Sequence, residues 1–282
     1  MLPALEERMI DVMTTSTGSS EAFQIPLEAA EYYEAAFVPA FFAQWAPVLC
    51  DDAGVSPGQT VLDVACGTGI VARTAAELVV PDGKVTGVDL NDAMLTVARR
   101  VGPGLDWRQG DAADLPFPDE SFDVALCQMA LMFFPEPAAA VREMARVVTR
   151  AGTVGVLVPG SLEHQPAFAP LVEMIVGHAG EEARSLLSTY FLCGDVDELG
   201  RVFESAGLEV TTSRTQAGIY GAPSVDAAVT TEVESTPLVE RISDDVYRRI
   251  RDDAQDVLAP FTTADGGLAA PFECNIVTAH RR

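Results

Sequence analysis

The chain has 282 residues, a formal net charge of −24 and a single lysine, Lys84. A negative field of that size repels a phosphate backbone, which argues against a nucleic-acid substrate. The five cysteines are odd in number and form no Cys-x-x-Cys pair, so neither a disulfide framework nor a zinc site is expected. No apolar run reaches membrane-spanning length and the chain starts with acidic residues, so we expect a cytoplasmic protein.

The N-terminal region divides into two segments. Residues 1–22 include a Thr/Ser/Gly-rich stretch that cannot bury enough apolar surface to fold, which predicts a flexible tail. In residues 23–56, aromatic side chains recur at helical spacing before the breakers Gly54 and Pro57, which predicts a helical segment.

Strands and helices alternate in residues 57–160. The predicted strands lie near 60–64, 84–88, 105–109, 122–127 and 153–158, and the predicted helices near 69–79, 92–100 and 137–148. Such alternation predicts a parallel sheet with helices on both faces and a ligand at the carboxyl ends of the strands.

The C-terminal part carries two insertions around further core elements. A helix and a strand are predicted within 195–216 and a last strand within 271–282. Residues 161–194 and 217–270 are the insertions, where we expect substrate identity to be encoded. In the second, Ser243 can cap a helix whose apolar stripe must be covered.

The residues 61–69, Val-Leu-Asp-Val-Ala-Cys-Gly-Thr-Gly, form the most informative motif. An apolar strand ends here in a turn of small residues, and a helix-forming run follows. Gly67 and Gly69 let a ligand approach the backbone, and the helix N-terminus offers unpaired N–H groups to an anionic or polar group. The motif predicts a site for a ligand that carries a carboxylate or a phosphate.

Two acids extend this motif. Asp89 ends the second strand about twenty residues after the glycines, where nucleotide sites place the acid that accepts ribose hydroxyls. Asp111 follows the third strand, where an acid can accept a hydrogen bond from an adenine amino group. Because Gly67, Gly69 and Ala72 also satisfy the dinucleotide fingerprint, a nicotinamide oxidoreductase stays open as an alternative.

These motifs resemble the class I S-adenosylmethionine-dependent methyltransferases, in detail the ubiquinone/menaquinone-biosynthesis-type small-molecule branch. Ala65 stands where a third glycine is common in that family, and the likeness covers roughly residues 27–158. The resemblance implies a Rossmann-like, doubly wound α/β fold with a seven-stranded sheet, mostly parallel with an antiparallel last strand. It also implies that residues 23–56, 161–194 and 217–270 form a helical cap, with Tyr32 and Tyr33 as candidate lid residues.

The resemblance further implies S-adenosyl-L-methionine as the cofactor and assigns residues to it. The methionine end is assigned to the residues at and after the first strand, Asp63, Ala65, Gly67, Thr68 and Gly69. Asp89 is assigned to the ribose, and the adenine side to Leu90, Met94, Asp111 and Ala112. Gln128, after the fourth strand, lies where the family backbone reaches the methionine amino group and where the methyl acceptor approaches.

The implied activity is methyl transfer to oxygen, nitrogen or carbon of a small, apolar metabolite by in-line displacement. Because the cofactor carries the reactive electrophile, a catalytic side chain is optional and none is assigned. His164 is the histidine nearest the cleft in topology and a candidate base. An alternative is a protein of this fold that binds the cofactor but catalyses another reaction or serves as a binding protein.

Overall fold

The computed structural model describes residues 25–234 and 236–281, so the predicted tail at 1–22 lies outside the described residues. The described part contains one seven-stranded sheet with the order β3-β2-β1-β4-β5-β7-β6. Its strands are β1 Thr60–Val64, β2 Lys84–Asp89, β3 Asp106–Gln109, β4 Phe122–Gln128, β5 Val148–Pro159, β6 Leu208–Ala222 and β7 Leu268–Arg281.

The pairing confirms the predicted sheet. Strands β1 to β5 pair in parallel, and β7 runs antiparallel to both β5 and β6. The carboxyl ends of β1, β2 and β4 lie at the same edge of the sheet, as expected for parallel strands joined by right-handed crossovers. The glycine turn after β1 therefore lies beside the ends of β2 and β4.

Helices cover the sheet and form the segments outside it. They are α1 Leu27–Tyr32, α2 Val38–Ala40, α3 Ala46–Asp52, α4 Ile70–Leu78, α5 Asp92–Val101, α6 Pro137–Val147, α7 Phe168–Ala179, α8 Glu181–Leu187, α9 Val196–Ser205, α10 Val225–Glu234, α11 Leu238–Arg241 and α12 Asp244–Leu258. A π-helical turn, Tyr33–Phe37, joins α1 to α2. Within the described residues, no helix is both long and apolar enough to cross a membrane.

Two apolar clusters lie on opposite faces of the sheet, because successive strand residues point to opposite sides. Leu126 of β4 packs on the face covered by α3, α4 and α5, whereas Ala125 packs on the face covered by α6 and α9. This doubly wound arrangement matches the predicted fold class.

The hairpin of β6 and β7 is longer than the sequence predicts. The predicted strand ends at residue 216, but β6 continues to Ala222 and stays paired with β7 as far as Leu268. The extra pairing is stabilised by an alternating buried face of β7, formed by Leu268, Ala270 and Phe272. The extension carries Tyr220 beyond the core sheet.

The helix predicted after Ser243 is α12, and the Ser243 hydroxyl accepts a hydrogen bond from the Val246 N–H at 3.3 Å. Its apolar stripe, with Ile250, Ala254 and Leu258 buried, packs against α7 and α10. The two insertions thus bury the stripe between them.

Candidate cofactor and acceptor site

The glycine turn joins β1 to α4 through backbone that L-residues rarely adopt. Gly67 and Gly69 have φ angles of 54° and 88°, in the left-handed region where glycine carries no steric cost. Ala65 also has a positive φ, of 54°, at the position where the resembling family commonly has glycine. Ala65 therefore holds about 1–2 kcal/mol of backbone strain, stored directly at the candidate site.

Trp107 of β3 supports this turn from behind. A Cβ atom placed on Gly69 would lie 2.2 Å from the Trp107 ring, and one placed on Gly87 would lie 2.4 Å from it. The indole N–H donates to the Gly102 carbonyl at 2.9 Å, which fixes the ring. Trp107 is not predicted from the sequence, although a single apolar residue in the otherwise polar strand Asp106–Gln109 is a usable signal.

Asp63 is buried at the end of β1 and accepts a hydrogen bond from the Ala72 N–H at 2.9 Å. Burial raises the pKa of this carboxyl to about 8. The hydrogen bond from the Ala72 N–H opposes this rise, the negative charge of Asp89 adds to it, and the positive charge of Arg73 opposes it. Asp63 thus ties the strand to the first turns of α4 and is a titratable group in the physiological pH range.

Asp89 is linked to the glycine turn directly. One carboxylate oxygen accepts from the Gly67 N–H at 2.7 Å, and the other accepts from the Asn91 N–H at 2.8 Å. Burial raises the pKa of Asp89, and the N–H donors of Asn91 and Gly67 oppose that shift. The structure therefore brings Asp63, Gly67, Gly69 and Asp89 together around one turn.

The residues assigned to adenine lie farther out. Leu90 and Met94 are half-buried at the end of β2 and the start of α5, and the Gln109 side chain donates to the Leu90 carbonyl at 3.0 Å. Asp111 is exposed and accepts from the Ala113 N–H at 2.8 Å, beside half-buried Ala112. These four residues form the rim of the candidate site.

Gln128 ends β4 next to β1. Its amide nitrogen donates to the Phe42 carbonyl at 3.1 Å, while its Oε1 atom is buried and has no hydrogen-bond partner among the described residues. The Thr68 hydroxyl is buried and equally without a partner there. A buried acceptor without a partner costs free energy, so both atoms suit a polar ligand such as an amino-acid head group.

The N-terminal segment lies over the glycine turn. The Tyr33 ring comes within 3.8 Å of the position that a Cβ on Gly67 would take. Burial raises the Tyr33 pKa, and Asp89, Glu34 and Asp63 add to that rise. Arg73 of α4 pairs with Glu34 at 2.9 Å and donates to the Thr68 carbonyl at 2.7 Å, which fastens this segment to the turn.

Aromatic side chains from separate segments of the chain pack against one another. Phe41 contacts Phe272 and Tyr220 with ring centroids 4.9 Å and 5.7 Å apart, and Phe168 contacts the same two rings at 5.3 Å and 5.0 Å. Phe133 contacts Tyr190 at 5.6 Å. We call these residues the aromatic cluster: Phe41, Phe133, Phe168, Tyr190, Tyr220 and Phe272.

The aromatic cluster is joined to the candidate cofactor site through Phe42. This ring lies 5.2 Å from Phe41 and 5.0 Å from Tyr33, and its carbonyl accepts from Gln128. Glu232 of α10, whose pKa is raised to about 7 by burial and lowered by Tyr220, is not predicted from the sequence. A single glutamate in an insertion gives no sequence signal that separates it from a surface residue.

The histidines contribute little to this site. His164 lies exposed in a 3₁₀ turn, His178 pairs with Asp253 at 2.7 Å, and His280 bonds Thr153 at 3.2 Å. Over the described residues, no group of histidine, cysteine or acidic side chains could hold a metal ion.

Comparisons with known proteins agree with this geometry. Residues 62–156 match the family described as Methyltransferase domain. The chain is 32% identical over 190 residues to ubiquinone/menaquinone biosynthesis C-methyltransferase UbiE of Ectopseudomonas mendocina, covering 62% of this chain and 74% of that protein. It is 32% identical to demethylmenaquinone methyltransferase of Staphylococcus aureus, covering 58% of this chain and 73% of that protein.

The fold is shared with solved structures. The crystal structure of a putative methyltransferase from Bacillus halodurans matches with a TM-score of 0.59 and 21% identity, covering 84% of this chain and 98% of that one. The protein is an enzyme with S-adenosyl-L-methionine as its cofactor, which resolves the cofactor alternatives left open by the glycine pattern. The chain therefore belongs to the class I S-adenosylmethionine-dependent methyltransferases, in the family of the ubiquinone/menaquinone biosynthesis enzymes.

Proposed function

We propose that this enzyme transfers a methyl group to a ring carbon of a reduced, quinone-type aromatic molecule. The observation that carries the proposal is the aromatic cluster, which lies next to the end of β4 and to the cofactor side. Aromatic rings in edge-to-face contact suit a flat aromatic acceptor. The relatives named for ubiquinone and menaquinone C-methylation support this acceptor class.

We assign the cofactor residues within this proposal. Hydrogen bonds of Asp89 to the glycine turn support its role at the ribose, and the unpartnered acceptor of Gln128 supports contact with the methionine ammonium group. The turn residues are assigned to the methionine end and the rim residues to adenine. The turn residues are Asp63, Ala65, Gly67, Thr68 and Gly69. The rim residues are Leu90, Met94, Asp111 and Ala112.

The segments outside the core act as a cap in this proposal. The aromatic cluster receives Phe41, Phe168, Tyr190 and Tyr220 from the cap segments 23–56, 161–194 and 217–270. The core of the sheet and its helices come from residues 57–160, 195–216 and 271–282. The cap aligns the acceptor and excludes water, which is the main protein contribution to methyl transfer. A cytoplasmic site of action and the absence of a nucleic-acid substrate stay predictions from the sequence.

The test is a methylation assay with reduced 1,4-naphthoquinone and methyl-labelled S-adenosylmethionine, followed by mass spectrometry and NMR of the product. We expect a label on the ring carbon next to a hydroxyl group, and none on the oxidised quinone. Phe133→Ala should raise KM for the quinol, whereas Phe117→Ala, which removes a ring packed against Phe122 at 5.1 Å outside the aromatic cluster, should not. Failure of the wild-type enzyme to methylate any quinol, despite cofactor binding, would contradict the proposal.

A further inference from the structure

The N-terminal segment carries a glutamate that is not among the residues assigned to the cofactor. Glu34 lies in the π-helical turn Tyr33–Phe37, where the Val38 N–H donates to the Tyr33 carbonyl. Single π-helical turns of this kind are frequent at functional sites. Glu34 directly follows Tyr33, whose ring lies against the Gly67 Cβ position at 3.8 Å. The glutamate therefore belongs to the part of the segment that covers the glycine turn.

One guanidinium group fixes the position of the Glu34 carboxylate. Arg73 of α4 donates through Nη1 to the Thr68 carbonyl at 2.7 Å and through Nη2 to Glu34 Oε1 at 2.9 Å. Because both bonds leave the same guanidinium group, the carboxylate lies beside the backbone of the glycine turn. The ion pair is mostly buried, since each side chain keeps only 20% of its surface exposed.

The second oxygen of this carboxylate is unsatisfied. Glu34 Oε2 is buried and has no hydrogen-bond partner among the described residues. The same holds for the hydroxyl of Thr68, the residue whose carbonyl Arg73 binds. A buried polar atom without a partner costs free energy, so two of them on either side of one guanidinium group indicate a polar ligand.

A third unsatisfied atom lies on the other side of the same segment. Gln128 Oε1 is buried without a partner among the described residues, while its amide nitrogen donates to the Phe42 carbonyl at 3.1 Å. The Phe42 ring lies 5.0 Å from the Tyr33 ring. The N-terminal segment, the glycine turn and the end of β4 thus each contribute one unsatisfied polar atom.

The chemistry of Glu34 selects the group that it can bind. A carboxylate oxygen accepts hydrogen bonds and donates none, so its partner must be a donor. The methionine end of S-adenosylmethionine consists of an ammonium, a carboxylate and a sulfonium group, and only the ammonium carries N–H donors. Its positive charge strengthens a hydrogen bond to a carboxylate beyond one to a neutral acceptor.

We propose that Glu34 is a cofactor-binding residue whose Oε2 atom accepts a hydrogen bond from the ammonium group of S-adenosylmethionine, with Arg73 as the positioning residue that holds Oε1. This inference rests on the proposed placement of the methionine end at the glycine turn, and it does not depend on the identity of the methyl acceptor. The N-terminal segment then distinguishes ligands that carry the amino-acid group from ligands that lack it.

The test is Glu34→Gln, with binding of two ligands measured by isothermal titration calorimetry. S-adenosylhomocysteine carries the ammonium group, whereas 5′-methylthioadenosine keeps the adenine, the ribose and the sulfur without the amino-acid group. The glutamine keeps an oxygen for Arg73 but replaces Oε2 by an NH₂ donor. We expect Kd for S-adenosylhomocysteine to rise roughly 10–150-fold, the range for a hydrogen bond between charged groups, and Kd for methylthioadenosine to stay unchanged.

The same segment supplies a matched control. Glu31 of α1 pairs with Arg100 of α5 at 2.6 Å, and both side chains are about half exposed. This ion pair also joins the N-terminal segment to a core helix, but it lies away from the unsatisfied atoms. Glu31→Gln should therefore leave Kd for both ligands as in the wild type. Unchanged methylthioadenosine binding by Glu34→Gln would show that this variant is folded.

Two results would overturn the role of Glu34: a variant Glu34→Gln that weakens neither ligand, or one that weakens both by the same factor. Asp89→Ala then shows how far the failure extends, because Asp89 is assigned to the ribose that both ligands carry. If Asp89→Ala weakens both ligands, the cofactor lies at the turn and only the role of Glu34 is wrong. If Asp89→Ala weakens neither, the proposed placement of the cofactor is wrong as well.

Discussion

The proposed cofactor side and the proposed acceptor side of this enzyme are built in different ways. On the cofactor side, the glycine turn, Asp63 and Asp89 come from two neighbouring strands and are held by short hydrogen bonds to backbone N–H groups. On the acceptor side, each ring of the aromatic cluster comes from a separate stretch of the chain and is held by apolar packing. A site of the first kind is encoded locally, whereas one of the second kind depends on the whole tertiary structure.

This difference has a functional consequence. Hydrogen bonds to a strained turn tolerate few substitutions, which suits a cofactor that stays the same throughout a family. Packing between rings on cap segments tolerates changes of similar volume, so the acceptor pocket can be altered while the cofactor side is kept. Substitutions on the proposed cofactor side test how rigid it is.

Gly69→Ala should have the largest effect. The new Cβ would lie 2.2 Å from the Trp107 ring at a residue whose φ is +88°, so overpacking and backbone strain both act. We expect the free energy of unfolding to drop by roughly 2–5 kcal/mol, measured by urea denaturation. Gly104→Ala is the matched control, because nothing lies within 4 Å of its Cβ position. Equal stability of the two variants would show that Trp107 moves freely and that the turn is not braced.

Asp89→Ala tests the ribose assignment. Loss of an acceptor for a charge-assisted hydrogen bond should weaken S-adenosylmethionine binding by about 1.5–3 kcal/mol, or roughly 10–150-fold in Kd. Isothermal titration calorimetry measures this, with Asp82→Ala at an exposed turn before β2 as the control. An unchanged Kd would remove Asp89 from the ribose.

The difference between local and long-range contacts decides which features the sequence could predict. The alternation of strands and helices, the glycine turn and the position of Asp89 follow from short motifs, because neighbouring residues dictate the backbone there. The extension of β6 to Ala222 could not be found from local pattern, since it depends on pairing with β7 fifty residues later. Trp107 acquires its surroundings only through contacts with distant segments, because its ring lies against the Cβ positions of Gly69 and Gly87.

Asp63 should make the stability of the ligand-free protein depend on pH. Its pKa is about 8 in the folded protein and near 3.8 when unfolded, so the folded state holds an extra proton between these values. Stability contributed by this group is therefore fully present below about pH 4 and is lost as pH rises to 8, with a slope of up to about 1.4 kcal/mol per pH unit. Asp63→Asn should flatten that slope in urea denaturation between pH 5 and 8.

Asp63 should also release a proton when the cofactor binds. The positive charges of S-adenosylmethionine lower the pKa of a nearby carboxyl, so calorimetry at pH 7 in buffers of different ionisation enthalpy should detect proton release. The release should disappear in Asp63→Asn. Binding heats independent of buffer in the wild type would place the cofactor charges away from Asp63.

Asp111→Asn should have the smallest effect, because Asp111 is exposed and solvent competes for its hydrogen bonds. The asparagine keeps an oxygen that can accept from Ala113, as Asp111 does at 2.8 Å, so the loop should stay intact. Its NH₂ group, however, can face the adenine amino donor, and binding should weaken by about 0.5–1.5 kcal/mol. Because adenine is common to both ligands, S-adenosylmethionine and S-adenosylhomocysteine should lose affinity equally in calorimetry. A loss confined to S-adenosylmethionine would place Asp111 near the sulfonium and would make the rim part of the methyl-transfer end of the site.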